Sequence, residues 1–216
     1  RDRSEEELAG YRRALYWIFR LKVVRSITPD LIRKIHALAP GGHSGDAGQW
    51  KQRDNEIVEI LPDGRRRIRF RPTPARDTPK AITALCDAYQ MASAEERIPP
   101  LLSVATFVFD FLCVHPFRDG NGRVSRLITT LLLKGHGFEV VRYISLERLV
   151  EERKDEYYGV LETCSSGWHD GTNEIVPWWN FFLAVLRSGY REFEGQVESS
   201  SARPAKSELV RRAVMD

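Results

Sequence analysis

The chain has 216 residues, enough to bury one substantial core, so a single domain with small appendages is the expected organisation. Its net charge of +3 is too small to argue for nucleic-acid binding by itself. No apolar run reaches the roughly 18 residues a membrane-spanning helix needs, and no signal peptide is visible, so no membrane partner is expected.

The three cysteines, Cys86, Cys113 and Cys164, are far apart and form no C-x-x-C pair. They read as buried thiols in a reducing, cytoplasmic compartment rather than as a disulfide framework or zinc site. The histidines are equally scattered, and no cluster of nitrogen and sulfur ligands emerges.

In chain order, Ser4 and Glu7 form a capping box ahead of Leu8, Tyr11, Leu15 and Ile18, which predicts an amphipathic helix to about Val23. Thr28-Pro29 starts a second helix with Leu31, Ile35 and Leu38 on its buried face; Pro40-Gly41-Gly42 ends it. Gly42, Gly45 and Gly48 superficially match a dinucleotide fingerprint, but no strand precedes them and a loop is expected. Residues 56–61 and 67–70 flank the turn Pro62-Asp63-Gly64 and predict a β-hairpin. Arg65, Arg67, Arg69 and Arg71 share one face of its second strand. That face suits either a solvated edge that resists aggregation or an edge that pairs with an extended peptide.

A third helix is expected after Pro79, capped by Thr78 or Asp77, with Ile82, Leu85 and Tyr89 inward. Pro99-Pro100 opens a fourth, apolar nearly all round to Val114, as a central buried helix should be. Another apolar helix covers 127–133 and closes at Lys134-Gly135. Ser145 begins a helical region with a break before Cys164; after the loop Gly167–Thr172, Pro177 leads Trp178, Trp179, Phe181 and Phe182 into a last buried helix. The fold class is therefore all-α with one hairpin. Residues 1–26 form an N-terminal helix leading into a domain over 27–197; residues 198–216 read as a linker and the start of a truncated C-terminal module.

Between the two most apolar helices lies His115-Pro116-Phe117-Arg118-Asp119-Gly120-Asn121-Gly122-Arg123-Val124-Ser125-Arg126. Pro116 biases His115 away from helical dihedrals, so the helix should end there. Gly120 and Gly122 permit a nest of inward N–H groups, and a helix starting at about Gly122 or Arg123 adds its positive dipole end. Arg123 and Arg126, three apart, offer two guanidinium forks to phosphates. Asp119 is an anion inside an anion site; it either caps the helix or holds a cation such as Mg²⁺ against phosphates. His115 at the rim then suits a general base for a hydroxyl attacking phosphorus. Phe117 is expected to turn inward.

The stretch resembles the Fic family motif H-x-F-x-(D/E)-G-N-G-R-x-x-R at every fixed position. The likeness extends from about Asp30 to Arg187 through Gly48-Gln49-Trp50-Lys51, the hairpin and Tyr157-Tyr158. It implies a helical bundle with the hairpin as a flap over the site. It implies transfer of AMP from ATP to a Ser, Thr or Tyr hydroxyl of a target protein, with release of pyrophosphate. His115 would be the base and Asp119 the Mg²⁺ ligand; Gly120, Asn121, Gly122, Arg123, Ser125 and Arg126 would bind the nucleotide with Tyr157 as a wall. Glu56, Ile57 and Val58 would align the target by strand addition.

The family's inhibitory pattern, (S/T)-x-x-x-E-(G/N), has no match here: Glu194-Gly195 comes closest, but Tyr190 stands where Ser or Thr should be. Its glutamate would pair with Arg126. The expectation is an inhibitory helix upstream of Arg1; a separate antitoxin chain is the alternative, and a homodimer is compatible with either. Removal of AMP from a modified target uses the same residues. A non-catalytic, DNA-associated regulator is the competing class, with nucleic acid reached only through a missing C-terminal module.

Overall fold

A computed structural model describes residues 3–39, 46–61, 63–95 and 98–201, so the expected features at Ser4, at Pro40-Gly41-Gly42, Gly45 and Pro62, and beyond residue 201 lie outside the described residues or side chains. Helix α1 (Arg3–Arg20) buries Tyr11, Ala14 and Ile18, a helical stripe. It stops short of the expected Val23. The Lys134 ammonium, itself buried, donates to the carbonyls of Ile18 (3.1 Å) and Leu21 (2.6 Å), terminating the helix from another element. Helix α2 (Pro29–Leu38) starts as its sequence dictates: the Thr28 hydroxyl accepts the Leu31 N–H at 3.2 Å and proline occupies the first turn.

Strands β1 (Ile57–Ile60) and β2 (Arg66–Phe70) form the expected antiparallel hairpin, with Ile57 opposite Phe70 and Val58 opposite Ile68 around an irregularity. The arginine face of β2 is engaged by carboxylates. Arg67 meets Glu59 at 2.7 Å and Glu162 at 2.9 Å, and Arg69 meets Glu59 at 2.8 Å. The period-two arginines therefore tie the hairpin down on the helix carrying Glu162.

Helix α3 (Thr78–Ala94) follows a 3₁₀ turn, and neither expected cap operates: Asp77 makes no cap bond, and the Thr78 hydroxyl donates to the Pro74 carbonyl at 3.0 Å. The short 3₁₀ turn supplies the entry instead. Helices α4 (Pro100–Val114) and α5 (Asn121–Gly135) pack together at the centre, burying Phe107, Phe109, Phe111, Leu127, Ile128 and Leu131. Helix α6 (Leu146–Glu151) is capped by Ser145, whose hydroxyl accepts the Arg148 N–H at 3.2 Å. The expected break follows, then α7 (Lys154–Ser165). Helix α8 (Val176–Ser201) locks onto α4 through its indoles, Trp178 Nε1 to the Ala105 carbonyl (2.7 Å) and Trp179 Nε1 to the Thr106 hydroxyl (2.9 Å). It stays helical past Glu198, where a linker was expected to begin.

The architecture is thus all-α with one hairpin, and Tyr11, Ala14 and Ile18 of α1 lie in the same core as the later helices. The three cysteines are buried free thiols. Among the described residues, no helix is long and apolar enough to cross a membrane.

Candidate active site

His115 closes α4 at φ 50° and ψ 60°, the only non-glycine residue at positive φ among those described. Proline next in sequence excludes the helical well, and the residue drops into the left-handed one at a cost of about 1–3 kcal/mol. Its Nδ1 lies 3.2 Å from the Leu112 carbonyl. A carbonyl only accepts, so Nδ1 carries the hydrogen and Nε2 keeps its lone pair. Burial, opposed by the Leu112 hydrogen bond and reinforced by the cation of Lys51, lowers the imidazole pKa from its usual 6.5 to about 4. The ring is therefore neutral and able to accept a proton.

The loop beyond it is braced from below. Phe117 is fully buried, stacked face to face on His36 at 3.8 Å and tilted against Trp50. The His36 Nδ1 accepts the Gly48 N–H (2.9 Å), leaving Nε2 to donate to the Asp119 carbonyl (3.2 Å). Asn121 spends its side chain on Phe117, accepting its N–H at 2.9 Å and donating to its carbonyl at 2.7 Å. The buried Asn121 side chain thus braces the loop from within.

Gly120, at φ 83°, occupies the N-cap of α5, and no side chain caps it. The first N–H groups of α5 are thereby left facing outward as an anion site. Asp119 does not cap: its Oδ1 takes the N–H of the next residue, Gly120, at 2.6 Å, and its carboxylate is half-exposed. No group of three or more metal-ligating side chains occurs among the described residues. A lone carboxylate beside an anion site still fits Mg²⁺, which is usually held by one or two carboxylates plus substrate phosphates.

The two motif arginines diverge. Arg126 lines a cavity of about 760 Å³ together with His115, Gly122 and Tyr157. Its Nε and Nη2 donate to both carboxylate oxygens of Glu147, at the start of α6. Arg126 thus has an acidic partner inside this chain, outside the inhibitory pattern sought in the sequence. Tyr11 of α1 also bonds Glu147, and burial foremost, with that carboxylate, raises its phenol pKa well above normal. Arg123 instead pairs with Glu7 of α1 at 2.9 Å and approaches Asp119 at 3.8 Å.

Tyr157 is buried against Trp178 and Phe181, and burial pushes its phenol up to about 12. Glu56, Ile57 and Val58 line the same cavity from the hairpin side. Ser125 is not brought there: its hydroxyl donates to the Gly122 carbonyl at 2.7 Å and it lines a smaller internal cavity. Sequence reasoning missed the site roles of Glu7, Tyr11, His36 and Glu147, because each reaches the motif or its partners through tertiary contact with no local pattern to mark it.

The family model for the Fic/DOC family matches residues 26–133, half of the chain. A protein named protein adenylyltransferase Fic, from Nematostella vectensis, is 26% identical over 213 residues, covering 96% of this chain and 43% of its own length. The chain thus spans less than half of that relative. A Fic family protein from Desulfovibrio desulfuricans G20 has a similar structure, with TM-score 0.71 and 22% identity over 95% of this chain and 57% of that one. The BepC protein of Bartonella tribocorum, solved with bound AMPPNP, gives TM-score 0.54 and 15% identity over 84% of each chain. By its motif, its fold and this match, the chain belongs to the Fic/DOC family.

Proposed function

We propose that the chain transfers AMP from ATP to a Ser, Thr or Tyr hydroxyl of a target protein, releasing pyrophosphate. The observation that carries this reading is the neutral His115, its Nδ1 spent on the Leu112 carbonyl, lining the cavity that Arg126 and Gly122 also line. Support also comes from the relative named as an adenylyltransferase and from the structural neighbour solved with AMPPNP.

In this reading the target hydroxyl loses its proton to Nε2 of His115 as its oxygen attacks the α-phosphorus. The bond from that phosphorus to the α–β bridging oxygen breaks, and pyrophosphate departs. The α5 N-terminus and Arg126 hold the phosphates, so catalysis is mainly positioning and charge stabilisation. Asp119 would hold Mg²⁺, whose charge would neutralise the phosphate oxygens. Glu56, Ile57 and Val58 present the edge on which the target lies, and Tyr157 forms a wall for the nucleoside. The site is served by cytoplasmic ATP.

The test is incubation of candidate targets with ATP labelled at either the α- or the γ-phosphate. Protein label from the α position and none from γ is expected; label from γ alone would replace this reading with a kinase. Release of labelled AMP from labelled target on adding enzyme without ATP or pyrophosphate, with water taking the place of the target hydroxyl on phosphorus, would identify AMP removal by the same site.

Glu147 supplies a second test. It occupies Nε and Nη2 of Arg126, while Nη1 lies toward Gly122, 3.4 Å from where a Cβ on that glycine would sit. The carboxylate therefore aims the guanidinium at the phosphate site. Glu147→Gln is expected to raise the KM for ATP about tenfold, the worth of one charge-assisted hydrogen bond, with a smaller change in kcat. A fall in KM would show instead that the carboxylate competes with the phosphates.

A further inference from the structure

Lys51 is a lysine with only 4% of its surface exposed, and it does not line the active-site cavity. A buried ammonium needs partners. Its Nζ donates to the Val114 carbonyl at 3.1 Å and to the Asn55 side-chain oxygen at 2.9 Å. The Lys51 backbone N–H donates to the Pro116 carbonyl at 2.9 Å, and Asn55 Nδ2 reaches the Phe117 carbonyl at 3.3 Å. The segment 51–55 thus grips the carbonyls before and after His115. A left-handed non-glycine residue persists only where its surroundings over-determine it. Here those surroundings are this clamp on one side and the Asn121 staple on the other.

We propose that Lys51 is a positioning residue for His115: its ammonium, with Asn55, fixes the carbonyls on either side of the histidine and so holds the ring at its place on the cavity. The ammonium sits on the last carbonyls of α4, where a cation also complements the helix dipole. Burial is the main cause of the low His115 pKa and the Lys51 cation adds to it, so removing the cation should raise that pKa while burial keeps it below the usual 6.5.

Burial also lowers the Lys51 pKa to about 8, opposed by Asp54, so the clamp itself should weaken as pH rises through that value. The other charged groups around the pair are Asp119 on the motif loop, Glu56, Glu59 and Arg69 on the hairpin, Arg126 on α5, and Asp155 and Glu162 on α7. None of them donates to the carbonyls that Lys51 holds.

This inference rests on His115 acting as the base, and its test separates the two claims. The His115 ring is titrated by NMR in wild type, Lys51→Met and Lys51→Arg without substrate, and α-phosphate transfer is followed in parallel. Lys51→Met should raise the His115 pKa, short of 6.5 because the ring stays buried, and lower kcat tenfold or more, with KM for ATP within twofold. Lys51→Arg should restore kcat to within about threefold and carry the alkaline loss of rate above pH 9, because a guanidinium stays charged. Asn55→Ala keeps the cation and loses part of the clamp; it should lower kcat without moving the His115 titration. An unmoved titration together with kcat within twofold in folded Lys51→Met would overturn the proposal. A titration moved in Lys51→Met, alongside a wild type that transfers no AMP, would uphold Lys51 and sink the transfer reading.

Discussion

His115→Ala is expected to lower AMP transfer by about 10²–10⁴-fold, the usual worth of a positioned general base, while ATP affinity changes less than threefold. Its side chain is held through Nδ1 on the Leu112 carbonyl, while the phosphates fall to the α5 N-terminus and Arg126. Its depressed pKa, about 4, fixes the sign of the pH profile. The proton-accepting form dominates above that value, so kcat/KM should hold level from about pH 5 to 7 and fall below it. A base this weak is poorly matched to neutral pH, and the substrate corrects the mismatch. Bound phosphates bring negative charge beside the ring, stabilise the imidazolium and raise the pKa. The acid limb of kcat should therefore lie above that of kcat/KM. Single-turnover rates across pH 3.5 to 9 would check this. A folded His115→Ala that keeps a tenth of the wild-type rate would remove His115 as the base.

The motif was legible because its groups are contiguous: a base, a nest and a helix start within twelve residues need no tertiary information beyond the two apolar helices around them. Local start signals were equally readable, since the Thr28 and Ser145 caps act within three residues. What fixes the site comes from elsewhere. Glu147 reaches Arg126 across 21 residues, Lys51 reaches the Val114 carbonyl across 63, and His36 reaches Asp119 across 83. No periodicity encodes such pairings. Charged residues at these positions look the same in sequence whether they face water or a buried partner. Arg123 and Arg126, three apart, were expected to act together. Packing separates them, because α1 offers Glu7 to one and α6 offers Glu147 to the other. Ser125 was assigned to the nucleotide by its place in the motif, but its hydroxyl already serves its own helix.

Gly135→Ala should cost about 3 kcal/mol, the upper end of overpacking, and lower Tm by about 6–12 °C in a chain of this size. The glycine looked in sequence like a left-handed helix cap, yet the left-handed residue is Gly137, at φ 84°. Gly135 is required for a different reason. A Cβ there would lie 2.0 Å from the Val24 carbonyl oxygen and 2.9 Å from its carbon, and backbone cannot rotate aside as a side chain can. The segment after α1 is held at this distance by Arg25, whose Nε donates to the Gly135 carbonyl at 3.0 Å, and by Lys134 on the last carbonyls of α1. A methyl group must break that seam. Gly195→Ala on α8 is the matched control: nothing lies within 4 Å of its Cβ, so it should gain about 0.5–1 kcal/mol of helix propensity and raise Tm slightly. The seam also sets where α1 lies, and α1 carries Glu7 to Arg123 and Tyr11 to Glu147. Below its melting temperature, Gly135→Ala should therefore also bind ATP more weakly, although the change sits at the opposite end of α5 from the motif. Calorimetry of both variants with ATP titration decides it: a Gly135→Ala protein melting within 2 °C of wild type would mean the seam yields without cost.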